Sequence, residues 1–283
     1  MGGFFDRAEN LLLPLIDQIY ARIPRPNPGI ERLKDCRIIS HRGEHDGRQV
    51  FENTLAAFDA AVDQGVWGIE FDIRWTRDLE PVVTHDPDLR RVFGQSLRVG
   101  DSRLHELRRQ CPFIPTLAEV ISRYGGKVHL MAEVKSEPYP DRGRQNRILG
   151  DLFAGLSPGR DFHLLALTPQ AFQLTPFAPP SAFLPVARLN VSEFSRIAVQ
   201  RGYAGIAGHY AVLRAGVIGR HHAAGQKVGT GYIRSRNALL REINRGVDWI
   251  FSNHAAEVQA LLRGLQSADS RCACSRPFSS STK

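Results

Sequence analysis

Apolar residues along this chain recur at two spacings, every second position in short runs and every third or fourth in longer ones, and the two kinds of run take turns. The short runs predict strands at 37–40, 68–73, 128–134, 162–167, 182–187, 203–207, 227–232 and 249–251. Another, at 81–84, reads as the hairpin return of the second strand across a turn at Arg77-Asp78. The longer runs predict helices at 54–64, 116–124, 144–155, 169–174, 192–201, 211–223, 235–245 and 255–264, with Gly65 and Gly125-Gly126 as stops. Setting the hairpin aside leaves eight strands, each followed by a helix or helix-like segment. That order predicts an α/β fold, a closed parallel (β/α)8 TIM barrel, with a short hairpin and loop-rich insertion after strand two that ends at Pro115.

The ends of the chain read differently. Phe4, Phe5, Ala8, Leu12, Leu15, Ile16, Ile19 and Ile23 fall at helical spacing and predict an N-terminal amphipathic helix, kinked at Pro14. It is too short and too charged to cross a bilayer, and it lacks the basic start and unbroken apolar run of a signal peptide. Its apolar stripe either packs on one end of the barrel or makes a peripheral membrane contact through residues 4–23. A proline-rich linker closes this first segment, 1–28; the barrel occupies 36–264, and the serine-rich tail 267–283 is expected to be disordered.

Composition narrows the class without deciding it. The chain has 283 residues, of which 42% are hydrophobic, enough for one large barrel core. A net charge of +8 favours anionic partners, but the basic residues are scattered and carry no recognition-helix or stacking motif, so nucleic acid is not an expected partner. Cys36, Cys111, Cys272 and Cys274 form neither a disulfide framework nor a zinc set. Cys36 reads as a buried thiol, and reduced cysteines fit a cytoplasmic setting, peripheral to the membrane if the N-terminal stripe faces lipid.

Chemistry concentrates at the ends of the first strands. Glu70 and Asp72 are two residues apart on a strand and point to the same side. Two converging carboxylates repel unless a cation lies between them, and Mg²⁺ and Ca²⁺ take such oxygens. Glu133 and Lys135 repeat the spacing on the third strand. His41 and His85 supply proton-transfer groups and Arg42 an anion-binding fork, a set suited to metal-assisted cleavage of a phosphate ester.

In order, His41-Arg42-Gly43, Glu52-Asn53-Thr54, Glu70-x-Asp72, His85-Asp86 and Glu133-x-Lys135 resemble the glycerophosphodiester phosphodiesterase family, and the run from Gly246 to Asn253 resembles its closing strand. The resemblance implies a (β/α)8 barrel with a bound divalent ion, Mg²⁺ or Ca²⁺, on Glu70, Asp72 and Glu133. It implies acid–base work by His41 and His85, phosphate contacts from Arg42 and Lys135, and support from Glu52 and Asn53. Three positions depart from the family pattern. Phe51 stands where a proline is usual, Ala166-Leu167-Thr168 where Ser-Ser-Phe is usual, and Gly231-Tyr232 near a common tryptophan. The last two touch the substrate wall.

The expected activity is hydrolysis of a glycerophosphodiester to glycerol 3-phosphate and an alcohol, with a small-molecule phosphodiester or lysophospholipid as substrate. The alternatives are a lysophospholipase D, a sphingomyelinase D-like phospholipase on the same barrel, or an inactive phospholipid-binding barrel. Which histidine is acid, and whether water or a neighbouring glycerol hydroxyl attacks, stay open at the level of sequence.

Overall fold

A computed structural model describes residues 17–274, with side chains up to residue 268. The described residues hold nine strands: β1 Arg37–His41, β2 Gly68–Trp75, β3 Pro81–Val83, β4 His129–Val134, β5 Phe162–Ala166, β6 Phe183–Ala187, β7 Gly205–His209, β8 Lys227–Gly231 and β9 Trp249–Ser252. Eight of them pair in parallel in the order β1-β9-β8-β7-β6-β5-β4-β2, and β1 also pairs with β2, so the sheet closes into the expected barrel. Antiparallel β3 pairs with the last residues of β2, Ile73 to Trp75.

Alternation along the strands sorts side chains into two cores. Ile39, Met131, Leu165, Leu184, Ala207, Trp249 and Phe251 fill the barrel interior. Ile38, Ile69, Phe71, Leu130 and Ile250 face outward into the larger layer shared with the helices. Gly229 allows the interior to close, because a Cβ there would stand 2.8 Å from the Phe251 ring. The helices carry the end signals their sequence promises. In the helix Leu117–Tyr124, Thr116 Oγ1 accepts from Glu119 N at 3.2 Å and Glu119 Oε2 accepts from Thr116 N at 2.8 Å, a reciprocal cap.

Several elements differ from the sequence reading. β7 starts at Gly205, two residues later than expected, because that glycine packs directly on the Lys227 carbonyl, where no side chain fits. The helix expected from 211 begins at Ala215; the His209 ring accepts the Ala211 N–H at 3.1 Å and holds the intervening residues in a turn. Pro169–Leu174 winds as a 3-10 helix, and Ile30–Asp35, beyond the linker, is a helix that the sequence reading left unassigned. The insertion holds two short helices, Arg90–Phe93 and Leu104–Gln110. They cover a small core of Val82, Leu89, Val99, Leu107, Cys111 and Ile114.

The tail expected to be disordered from 267 is helical to Cys274, continuing the last helix Ala255–Cys274. No glycine or proline interrupts residues 265–274, and Ser267 Oγ bonds back to the Arg263 carbonyl, so the helix has no reason to stop at Gln266. Residues 275–283 lie outside the described residues.

Most of the N-terminal stripe, through Ile16, also lies outside them. Residues 17–21 form a helical turn on the barrel: Tyr20 meets Tyr210 edge-on at 5.6 Å, Arg241 covers the Tyr20 ring and Asn237 donates to the Ala21 carbonyl. Tyr20 makes that contact, while Ile19 of the expected stripe is 55% exposed. Among the described residues no helix is long and apolar enough to cross a membrane.

Candidate active site

Register between neighbouring strands assembles the site. His41 is the cross-strand neighbour of Glu70, and Asp72 that of Glu133. Residues 29 and 61 apart in sequence thus meet because strand ends line up.

Loop geometry sets the remaining groups. Straight after β1 the chain turns left-handed at Arg42 (φ 62°) and Gly43 (φ 81°). Only glycine fits at 43, where a Cβ would come within 2.6 Å of the Ala57 side chain. Arg42 accepts about 1 kcal/mol of backbone strain, held by bonds from its N–H to the Glu70 carbonyl and from Asn53 N–H to its own carbonyl. Asn53, also left-handed (φ 58°), donates through Nδ2 to Asp72 Oδ2 at 2.8 Å. β2 runs beyond the barrel rim, and β3 returns so that Thr84 N–H bonds the Asp72 carbonyl and His85 follows.

Glu70, Asp72 and Glu133 each offer an oxygen, and these atoms lie within 4.8 Å of one another. Lys135 Nζ stands among them, 2.6 Å from Asp72 Oδ1 and 2.7 Å from Glu133 Oε1. Arg42 Nε is 3.3 Å from Asp72 Oδ2. Burial opposes charge on Asp72, but Lys135 and Arg42 outweigh it and hold the carboxyl well below its usual range. Glu70 goes the other way: burial and the Asp72 charge raise it well above the usual carboxylate range. Its Oε2 is buried with no hydrogen-bond donor among the described residues. Three carboxylates against one ammonium and a shared guanidinium leave negative charge uncompensated, and Glu70 carries the deficit. That oxygen set fits a hard divalent cation, which would keep Glu70 ionised.

Both histidines hold Nδ1 on a partner outside the Glu70–Asp72–Glu133 group. His41 Nδ1 is 2.5 Å from Asn253 Oδ1, and His85 Nδ1 is 2.7 Å from Asp86 Oδ1. Each acceptor draws the proton to Nδ1 and leaves Nε2 for chemistry. His41 Nε2 lies 3.7 Å from Glu70 Oε2. Burial, then the Arg42 charge, lowers His41 to about 3, so its resting form is neutral.

All nine residues expected from sequence come together here, with Glu52 bonded to Arg42 at 3.1 Å. Lys135 stands inside the carboxylate group rather than apart from it. Asn253 and Arg91 were missed. Asn253 had a signal, since it ends the strand beside β1; Arg91, on a helix of the insertion, had none. The cavity in front of this set is charged on one side, at His41, Arg42, Glu70, His85 and Glu133. Its other side is mostly apolar, with Leu165, Leu167, Val186, Ala187 and Phe251.

Residues 41–155 match the glycerophosphoryl diester phosphodiesterase family. A glycerophosphodiester phosphodiesterase of Caldanaerobacter subterraneus is 37% identical over 111 residues, 35% of this chain and 45% of that protein. A lysophospholipase D of Rattus norvegicus is 42% identical over 71 residues, 25% of this chain and 22% of the relative. The matched stretch therefore spans less than half of these relatives. The solved structure of an Oleispira antarctica phosphodiesterase, in complex with the product sn-glycerol-3-phosphate, superposes with a TM-score of 0.65 at 25% identity. That alignment covers 80% of this chain and 96% of the other.

Proposed function

We propose that this chain is a glycerophosphodiester phosphodiesterase, a metal-dependent enzyme releasing glycerol 3-phosphate and an alcohol from glycerophosphodiesters, a reading supported by the family match over residues 41–155. The observation that carries this reading is the register that sets His41 beside Glu70 and Asp72 beside Glu133 at one cavity mouth.

Glu70, Asp72 and Glu133 are the residues to hold Mg²⁺ or Ca²⁺, which when bound neutralises charge on a phosphate oxygen. Arg42 and Lys135 offer donors to the remaining oxygens. His41, neutral and backed by an uncharged amide, takes the proton of the attacking oxygen at Nε2. His85, whose Nδ1 is held by the Asp86 carboxylate, gives its Nε2 proton to the leaving oxygen. Water and a neighbouring glycerol hydroxyl can both be activated by this pair. A lysophospholipid is the second substrate reading, supported by the apolar side of the cavity.

Turnover of a panel of phosphodiesters that differ only in the alcohol tests the proposal. Glycerol 3-phosphate should appear from at least one glycerophosphodiester. Binding of the panel without any turnover overturns the enzymatic reading.

A further inference from the structure

The insertion after β2 does more than deliver His85; it also leaves an aromatic group in solvent. Phe113, between the helix Leu104–Gln110 and Pro115, is 61% exposed. Its ring centroid is 6.4 Å from that of Phe51, which in turn is 5.2 Å from that of Phe93. A groove runs alongside, lined by Val50, Phe51, Leu55, Pro112, Phe113 and Ile114 among others.

Arginines frame this patch. Arg48 lies three residues before Phe51, Arg90 three before Phe93 on one helical turn, and Arg109 four before Phe113. All three are exposed, and none has a carboxylate partner among the described residues. Most acidic groups close by are paired with other arginines, while Asp46 and Asp88 keep their charge and bond only backbone N–H groups. Asp46 accepts from the N–H groups of Arg48, Gln49 and Val50, Glu119 pairs with Arg108, Asp101 with Arg98, and Asp86 with Arg91. Asp88 accepts from Arg90 N. The patch is thus apolar at its centre and cationic at its margin. It is also continuous with the cavity mouth, since Phe51 adjoins Glu52, which bonds Arg42.

We propose that the Phe51–Phe93–Phe113 patch with Arg48, Arg90 and Arg109 docks the protein on an anionic phospholipid surface, with Phe113 entering the headgroup region. An exposed aromatic flanked by unpaired arginines is complementary to such a surface in both of its terms, apolar burial and charge. A second protein copy would meet the same three positive charges on its own patch, which disfavours self-association through it. The surface stands on contacts separate from the proposed chemistry, so binding can be read without turnover.

Co-sedimentation of the full chain with vesicles of phosphatidylcholine, with and without phosphatidylserine, tests this. Binding is expected only with phosphatidylserine and to weaken as salt rises. Phe113→Ser should weaken it roughly tenfold or more, and Arg90→Gln or Arg109→Gln each about fivefold. All three variants should keep the parent's melting temperature and its turnover of any soluble substrate. The inference is overturned if the parent ignores anionic vesicles or if Phe113→Ser binds them as the parent does, which would place lipid contact elsewhere in the chain. A Phe113-dependent dimer in lipid-free sedimentation equilibrium would also overturn it.

Discussion

Arg91 grips Glu52 with both terminal nitrogens, at 2.6 and 2.9 Å, while its Nε holds Asp86 at 2.6 Å. Glu52 also accepts from Arg42, and Asp86 from His85. One arginine from the insertion therefore links the carboxylate that holds Arg42 to the carboxylate that holds His85.

Replacing Arg91 by Gln should loosen both ends of this tie. Its side chain is half exposed, which limits the effect, but two carboxylates would lose charge-assisted bonds together. Turnover is expected to fall about tenfold, with Arg91→Lys intermediate, since an ammonium cannot fork onto two groups in the same way. Steady-state kinetics of the two variants check it. Unchanged kcat and KM in Arg91→Gln would show that the tie is incidental.

His41→Ala and His85→Ala should each lower kcat by about 10²- to 10⁴-fold, the range of a lost acid or base. If both serve one proton-transfer sequence as proposed, the double variant should fall far short of the product of the two losses. Near-normal turnover in either single variant, at every pH, would remove that histidine from the chemistry.

Much of this site was legible in the chain because its parts sit where alternation changes to loop. Glu70-x-Asp72 and Glu133-x-Lys135 show their shared side through spacing alone. The partners behind the histidines were harder. Asn253 reaches His41 because barrel closure sets β9 beside β1, a neighbourhood the strand count implies but no local spacing displays. Arg91 reaches Glu52 across 39 residues through the fold of the insertion. The helical extension to Cys274 was hidden for another reason: its serines and cysteines look like a solvated tail, whereas the preceding apolar turns had already nucleated the helix.

At the opposite end of the barrel, two histidines should make stability depend on pH. The Arg160 carbonyl can only accept, so His129 donates through Nδ1, and its Nε2 then accepts from His163 Nδ1 at 2.7 Å. Burial lowers His129 to about 4 and His163 to about 3, with the His129 neighbour adding to the latter. In the unfolded chain both titrate near 6.5. As pH falls below about 6.5 the unfolded state takes up protons that the folded state refuses, so stability drops, and the loss is complete only near the folded values. Shifts of this size correspond to roughly 3 kcal/mol for His129 and 5 kcal/mol for His163 at most. Denaturant unfolding of the parent and His163→Gln at several pH values checks it. The parent's advantage over the variant should shrink from pH 7 to about 4.5; an advantage that grows on acidification contradicts the tautomer chain.

The most direct test of the central claim uses metal-stripped protein and glycerophosphocholine, with release of glycerol 3-phosphate as the readout. Glu70→Gln serves as comparison, because it removes the carboxylate whose Oε2 lacks a donor while leaving the strand intact. No product is expected in excess EDTA. Added Mg²⁺ or Ca²⁺ should restore release in the parent, and in Glu70→Gln only at much higher ion concentration. Full release by the stripped parent in excess EDTA would contradict the assignment of Glu70, Asp72 and Glu133 as ligands of a catalytic ion.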